Sequence, residues 1–215
     1  MGLEFTLALH NLKGKKMIYK EICINPKKNY IHRDNTCITV DEIPLYVERN
    51  QRPGVEVYVS YYDFDFDLKQ HLEKEKTMHG FNGNYALTEI VLDFDNLWKT
   101  DKELKEQVDT EIYGLTGVYN IKLEDIKIWF SGRGFHLHIP NAFKLETSKI
   151  LPRIASAKLS RMFKNCDSIY EYYGLIRVGN TWNRKSGLYK IPLSYDEFKA
   201  MSMDEIRELA KKPRN

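Results

Sequence analysis

The segment Lys127–Pro140, KIWFSGRGFHLHIP, constrains the fold more than any other part of the chain. An apolar run ends at Phe130, a glycine-containing tetrapeptide follows, and an alternating run begins at Phe135. Glycine permits the backbone conformations that tight turns require, and alternation is typical of a strand with one buried face. The segment therefore predicts two adjacent strands joined by the turn Ser131–Gly134.

The second of these strands carries two histidines on one face. Side chains alternate along a strand, so Phe135, Leu137 and Ile139 would lie on the opposite face from His136 and His138. We expect the apolar face to enter the core. The imidazoles would then lie beside a turn that supplies a hydroxyl and a guanidinium, a combination suited to binding anionic oxygen.

Composition narrows the class of protein. The chain has 215 residues, of which 42% are apolar, which is enough for a sizeable core. It contains no run of about 18 apolar residues, so no membrane-spanning helix is expected. At the N-terminus the apolar residues precede the basic ones, the reverse of a secretory signal. The three cysteines are widely spaced, which favours a reducing, cytoplasmic compartment. The candidates for a zinc site lack the usual close spacing of ligands: His10, Cys23, His32 and Cys37.

Strands and helices are both predicted, without the regular alternation of parallel α/β proteins, which favours an α+β fold. The predicted strands beyond the central pair are Val55–Tyr62, Thr88–Asp95, Leu175–Val178 and Leu188–Leu193. One helix is expected from Thr100 to about Tyr113, ending near Gly114 or Gly117.

A second helix is expected from Thr147 to Lys164, with a stripe of core residues formed by Ile150, Ile154, Leu159 and Met162. Two short helices should follow near the C-terminus, because each has a capping box: Ser194 with Glu197, and Ser202 with Glu205.

An acidic pair, Asp93 and Asp95, ends one of the predicted strands. Residues two apart on a strand share a face, so these carboxylates would lie together, roughly 7 Å apart along the chain. Close carboxylates repel each other unless a cation lies between them, and oxygen ligands suit Mg²⁺ or Mn²⁺. A solvated strand end would have the same pattern. A similar alternation at Asp63–Asp67 ranks lower, because a charged, helix-like run follows it.

The segment from Cys166 to Leu193 is the third candidate. Asp167 follows a basic stretch, and Arg177 ends a predicted strand. The loop between the last two strands is rich in amides, hydroxyls and cations, which suits contacts with phosphate and sugar, although a polar hairpin loop would look the same. Charge supports a polyanionic partner, since Lys144–Lys190 contains ten Lys/Arg and three Asp/Glu, although an ordinary solvated helix face would also be basic.

The order of these motifs resembles the archaeo-eukaryotic primase superfamily, the primases and primase-polymerases of archaea, eukaryotes, plasmids, phages and some CRISPR loci. The motif LDFD at Leu92–Asp95 is similar to the first family motif. SGRGFH at Ser131–His136 is similar to the second, and Cys166-Asp167 to the third. The tail RVGNTWNRKSGLYKIPL looks like the phage, plasmid and CRISPR-associated branch. The resemblance covers roughly Val55–Pro213.

The resemblance implies a template-dependent DNA primase or polymerase that transfers nucleotides from NTPs or dNTPs to a 3′-hydroxyl on single-stranded DNA. Asp93, Asp95 and Asp167 would be catalytic and would hold two divalent ions, Mg²⁺ or Mn²⁺. The implied nucleotide-binding residues are Ser131, Arg133, His136, Arg177, Asn183 and Lys185. The basic stretch Lys149–Lys164 would follow the template backbone.

The resemblance also implies a domain organisation. An RRM-like antiparallel sheet flanked by helices would form a catalytic core over residues 55–193, preceded by an α/β module to which residues 1–54 contribute. Residues 194–215 would be a C-terminal helical extension, and the sequence leaves open whether further domains follow it. Expected partners are template and primer DNA, and a helicase or other replication or CRISPR-adaptation proteins.

Two other functions stay open on the sequence alone. His136 and His138 could form the metal pair of an HUH-type nicking enzyme, with a tyrosine nucleophile from Tyr170, Tyr172 or Tyr173. A non-catalytic nucleic-acid-binding module is the other alternative. Within the polymerase hypothesis, Glu171 is a reserve for the third carboxylate, and His138 is expected to be a polar surface residue with no assigned role.

Overall fold

The computed structural model describes residues 17–24, 36–95, 100–167, 169–170 and 174–214. Its strands are β1 (Tyr19–Ile24), β2 (Thr36–Thr39), β3 (Val57–Ser60), β4 (Glu89–Phe94), β5 (Lys127–Phe130), β6 (Phe135–Pro140), β7 (Leu175–Arg177), β8 (Trp182–Asn183), β9 (Leu188–Tyr189) and β10 (Ile191–Leu193). Its α-helices are α1 (Ile43–Asn50), α2 (Phe66–Glu75), α3 (Asp101–Gly117), α4 (Leu151–Met162), α5 (Tyr195–Ala200) and α6 (Met203–Leu209). The predicted α+β class is confirmed.

The central sheet has the order β10-β5-β6-β4, with every pair antiparallel. The predicted pair of strands joined by a glycine turn is β5 and β6. Phe135, Leu137 and Ile139 are fully buried, as the alternation predicts. β4 pairs with β6 so that Asp93 lies opposite His136. The face of the sheet that carries this pair is therefore the face turned away from the main core.

A second antiparallel sheet has the order β2-β1-β3-β7 and faces the central one. Val59 of β3 and Ile176 of β7 pack with Val91 of β4 in one apolar cluster. Val91 lies between Glu89 and Asp93 on the same face of β4, so this packing brings the second sheet over the polar side chains of the first. A cleft between the two sheets results, and the candidate site lies at one end of it.

Helix α4 begins later than the sequence predicts. Ser148 exchanges main-chain hydrogen bonds with Tyr85, at 3.0 and 3.1 Å, which keeps the chain extended there and delays the helix to Leu151. The predicted core stripe is wrong at two positions, since Ile150 and Ile154 are 56% and 43% exposed. The buried face is instead formed by Leu151, Pro152, Ala155 and Leu159.

The other predicted helix signals agree with the structure. Thr100 caps α3 by accepting a hydrogen bond from the main-chain nitrogen of Glu103, and α3 extends to Gly117. Both predicted capping boxes begin the short helices α5 and α6. No helix among the described residues is long and apolar enough to cross a membrane. Of the zinc candidates, Cys23 and Cys37 form no disulfide with another described cysteine, and the two histidines lie outside the described residues.

Candidate active site

The turn between β5 and β6 is closed by its own serine. The main-chain nitrogen of Ser131 donates to the Gly134 carbonyl at 2.8 Å, and the Gly134 nitrogen donates back to the Ser131 hydroxyl at 3.1 Å. Gly132 has a φ of +95°, which favours glycine. A Cβ at Gly134 would lie 1.9 Å from the main-chain oxygen of Phe94. The turn therefore rests directly on the end of the acidic strand.

Asp93 contacts both His136 on β6 and Asp167, the third of the predicted carboxylates. Its Oδ1 is 3.3 Å from Nε2 of His136 on the neighbouring strand. Its main-chain oxygen accepts a hydrogen bond of 2.9 Å from the nitrogen of Asp167. This bridge places Asp167 beside the acidic pair, although the two segments are far apart in sequence.

The electrostatics of the three carboxylates fit a site that binds a cation. Burial raises the pKa of Asp93 to about 7, and the nearby Asp95 and Asp167 act in the same direction. Burial and Asp95 also raise the pKa of Asp167. Oδ1 of Asp95 is buried and has no hydrogen-bond partner among the described residues. Closely spaced carboxylates with unsatisfied buried oxygen fit a hard divalent cation, which would relieve the repulsion.

The described side chains do not already form a closed metal-binding cluster of three acidic, histidine or cysteine ligands. Asp93 is directed towards His136 instead. The chemistry of the donors therefore fits Mg²⁺ or Mn²⁺, but the carboxylates would have to turn towards a shared ion.

The charged form of His136 is disfavoured by its surroundings. The residue is 6% exposed, and burial lowers its pKa well below the usual range, with Lys190, His138 and Arg177 adding to the effect. Its Nδ1 is buried and has no hydrogen-bond partner in the described part of the chain. A neutral imidazole carries one N–H, so the ring can donate from Nε2 towards Asp93 or from Nδ1 towards a ligand, but not from both.

Arg177 reaches from the second sheet to the turn. Its Nη1 donates to the Ser131 carbonyl at 3.1 Å. Its Nη2 donates to the hydroxyl of Tyr58 at 2.7 Å and to Glu56 at 3.3 Å. The guanidinium carbon also lies 5.2 Å from the centre of the Tyr58 ring. Because these contacts fix its orientation, Arg177 provides a positive charge at a defined position in the wall of the site.

Asn183 supports the same turn from β8. Its side-chain amide donates to the Ser131 carbonyl at 2.8 Å, and its Oδ1 accepts from the main-chain nitrogen of Lys185 at 3.0 Å. The residue is 3% exposed. Both ends of the amide are therefore used inside the protein, and Asn183 holds the turn and the loop together.

Almost every residue that the sequence predicts for the site lines one cavity of about 260 Å³. The predicted residues in its lining are Asp93, Asp95, Ser131, Arg133, His136, Arg177, Asn183 and Lys185. Asp167 is outside this lining and joins the site through its main-chain bond to Asp93. Residues from the first two motifs and from the segment between Arg177 and Lys185 thus line one small polar cavity, whose lining also includes Tyr58 and Tyr61.

Sequence reasoning missed several residues behind the cavity, and it was wrong about His138. His138 is largely buried: Nδ1 lies 2.7 Å from a carboxylate oxygen of Glu89, and Nε2 lies 3.2 Å from Nζ of Lys190. Lys190 is 1% exposed. In the sequence, the only indication that Lys190 is buried is its position inside the apolar run LYKIPL. That run is not one strand, because Lys190 lies between β9 and β10 and its main chain bonds to Asn180 and Thr181.

Two other sequence candidates have structural contacts. Asp63 accepts hydrogen bonds from the nitrogen and hydroxyl of Thr88 at 2.8 and 2.7 Å, and pairs with Lys20 at 2.9 Å. The Tyr170 hydroxyl is buried and bonds to both main-chain polar groups of Val91. Glu171, Tyr172 and Tyr173 lie outside the described residues.

Comparisons with known proteins give little more than a distant likeness. No protein-family model matches the chain, and a search of curated proteins finds no significant match. Among solved structures, the chain is similar to the polymerase domain of ligase D from Mycobacterium tuberculosis in complex with DNA. The two are 15% identical with a TM-score of 0.41, and the match covers 72% of this chain and 58% of the other. This chain therefore matches less than two thirds of that protein's length.

Proposed function

We propose that the protein is a metal-dependent nucleotidyltransferase of the archaeo-eukaryotic primase type, which adds nucleotides from NTPs or dNTPs to a primer on a single-stranded DNA template. One observation carries the proposal. Eight of the nine residues that the sequence assigns to such a site line a single cavity, and the ninth is bonded to one of them. These residues were assigned from the sequence and from its family resemblance, and their convergence on one cavity supports the proposal.

In this proposal Asp93, Asp95 and Asp167 hold the divalent ions. When bound, two such ions lower the pKa of the attacking 3′-hydroxyl and stabilise the leaving pyrophosphate. The protein's own part is to supply closely spaced carboxylates in a partly buried site. Because Asp93 is largely buried, its charge acts more strongly than it would at the surface.

The basic and polar residues of the same cavity would bind the triphosphate. Arg133 and Lys185 supply positive charge, and Arg177 supplies a guanidinium whose position is fixed by Ser131 and Tyr58. His136 adds a neutral hydrogen-bonding group next to Asp93. Asn183 contributes indirectly in this arrangement, because it holds the turn in place. The cavity volume of about 260 Å³ suits the phosphates, while the rest of the nucleotide would extend into the open cleft.

The nicking-enzyme alternative has less support. It requires two histidines with free nitrogens, but both ring nitrogens of His138 already have partners in Glu89 and Lys190. It also requires a reactive tyrosine, and the hydroxyl of Tyr170 is buried against β4. A non-catalytic DNA-binding module would have no use for three mutually repelling carboxylates.

A primer-extension assay with Mn²⁺ or Mg²⁺ separates the three functions. Extension of a labelled primer supports nucleotidyl transfer, a covalent tyrosine–DNA adduct supports nicking, and DNA binding without turnover supports a binding module. The double variant Asp93→Asn with Asp95→Asn should lose extension. The matched control is Asp65→Asn with Asp67→Asn, the same change in a similar sequence pattern, and it should keep extension.

A further inference from the structure

Lys190 is a buried lysine next to the candidate site but outside its lining, and burial lowers its pKa to about 7. Its Nζ donates to the main-chain oxygen of Arg177 at 2.9 Å and lies 3.2 Å from Nε2 of His138. It also lies 5.4 Å from the centre of the Trp129 ring. Burying an amino group is unfavourable unless it is hydrogen-bonded, and an apolar side chain of similar length would fill the space at lower cost. The polar contacts of this lysine are therefore its distinguishing feature.

These contacts form a directed chain of hydrogen bonds. The carboxylate of Glu89 can only accept, so Nδ1 of His138 carries the proton in the 2.7 Å contact between them. Nε2 is then the acceptor for the ammonium group of Lys190. Lys127 pairs with the other oxygen of Glu89 at 3.0 Å, which fixes the outer end of the chain. Burial and the charge of Lys190 lower the pKa of His138, which agrees with a neutral ring in the middle.

The inner end of the chain is the main chain of Arg177. This residue ends β7, a strand of only three residues, and pairs with Tyr58 of β3. Its guanidinium holds the Ser131 carbonyl and lines the cavity. The main-chain nitrogen of Lys190 also donates to Thr181 at 2.9 Å. Lys190 therefore bonds to both ends of the segment that connects β7 to β8: to Arg177 at its start and to Thr181 at its end.

We propose that Lys190, with His138 and Glu89 behind it, is a positioning residue that fixes the main chain of Arg177 and so sets the guanidinium for the substrate triphosphate. This inference rests on the proposed function, because it names the group whose placement matters for nucleotide binding. A misplacement of about 1 Å at a reacting or binding group can cost about 100-fold in rate or affinity. Ser131, Tyr58 and Glu56 hold the side chain of Arg177, and Lys190 holds its main-chain oxygen at the end of the strand.

The test measures nucleotide KM and kcat in Lys190→Met, which keeps the length of the side chain and removes the ammonium group. KM should rise about tenfold or more with kcat changed far less, the signature of lost binding of the nucleotide in its ground state. Lys199→Met is the matched control, since Lys199 pairs with Asp109 on the exposed surface, and its KM should not change.

A double-mutant cycle separates positioning from general weakening of the fold. If Lys190 acts through Arg177, then Lys190→Met combined with Arg177→Met should raise KM no further than Arg177→Met alone. Independent, multiplicative effects on KM would overturn the inference. If Lys190→Met does not fold, Glu89→Gln at the more accessible end should raise KM by a smaller factor and show the same coupling. Failure to do so would also overturn it.

A second readout distinguishes failure of this inference from failure of the proposed function. Wild-type extension with an unchanged KM in Lys190→Met refutes the positioning role and leaves the function intact. If the wild-type protein extends no primer, the proposed function fails, and calorimetry with inorganic tripolyphosphate then tests positioning alone. Binding that weakens about tenfold in Lys190→Met would uphold the positioning role for phosphate, whereas equal affinity or no binding by the wild-type protein would overturn it.

Discussion

Replacing Gly134 with alanine should disturb the acidic strand as well as the turn. The new Cβ would lie 1.9 Å from the main-chain oxygen of Phe94 and 3.0 Å from the Cα of Asp95. Ordinary contact begins near 3.4 Å, so the turn and the end of β4 would have to separate by about 1.5 Å. The atoms involved are main chain, which cannot rotate away as a flexible side chain can.

The cost should appear in both stability and catalysis. Overpacking of this kind costs about 1–3 kcal/mol of unfolding free energy. For a chain of this size each kcal/mol lowers Tm by about 2–4 °C. Because the shift moves Asp95, extension should also fall, by about 100-fold for a displacement near 1 Å. Urea unfolding and single-turnover primer extension measure the two effects separately.

Gly114→Ala is the matched control. Gly114 lies in α3, and its added Cβ would meet nothing within 4 Å. Alanine there should raise the unfolding free energy by about 0.5–1 kcal/mol and leave extension unchanged. Unchanged stability and turnover in Gly134→Ala would refute the reasoning, since it would mean that the turn does not rest on β4 as described.

Three further predictions follow from individual contacts. Tyr170→Phe removes the hydroxyl that bonds to Val91, so unfolding free energy should fall by about 1–3 kcal/mol, while retained extension would exclude this tyrosine as a nucleophile. In metal-free buffer the pKa of Asp93 is about 7, above the value near 3.9 of an unfolded aspartate, so stability should fall as pH rises from about 4 to 7, and added Mn²⁺ should remove that loss in thermal melts. Asn183→Ala leaves the Ser131 carbonyl with one donor fewer, so it should lower Tm as well as raise nucleotide KM, whereas a change in KM alone would indicate a direct nucleotide contact.

The local sequence pattern was sufficient to predict the strands at the centre of the fold. The alternation after the glycine turn gave the correct buried face of β6, since the strand period depends on neighbouring residues alone. The meeting of Asp93 with His136 follows once their strands pair in register. The three capped helices α3, α5 and α6 were also predictable, because a cap depends on residues three apart.

Contacts between distant segments explain what the sequence did not reveal. The start of α4 depends on the pairing of Ser148 with Tyr85, and nothing near Thr147 indicates that pairing. His138 was expected at the surface because its strand neighbours indicate only which face it occupies. The second sheet covers that face, and the covering residue Lys190 comes from another part of the chain.

The role of Asn183 was equally hard to anticipate. A polar loop with an amide, a hydroxyl and two cations has the composition of a phosphate-binding loop. In the structure the amide bonds to the Ser131 carbonyl and to its own loop, while Lys185 remains exposed at the cavity. Composition indicates that a loop is suited to phosphate, but only the fold shows which of its side chains remain available.

The most direct test of nucleotidyl transfer at this site is incorporation of a single nucleotide opposite a known template base. Each of the four nucleotides is supplied alone with Mn²⁺, and the template base is then changed. We expect the wild-type protein to extend the primer by the complementary nucleotide only, and Asp93→Asn with Asp95→Asn to add none while it unfolds at the same temperature or higher. Equal extension by the double variant, or no extension by the wild-type protein, would contradict the proposed function.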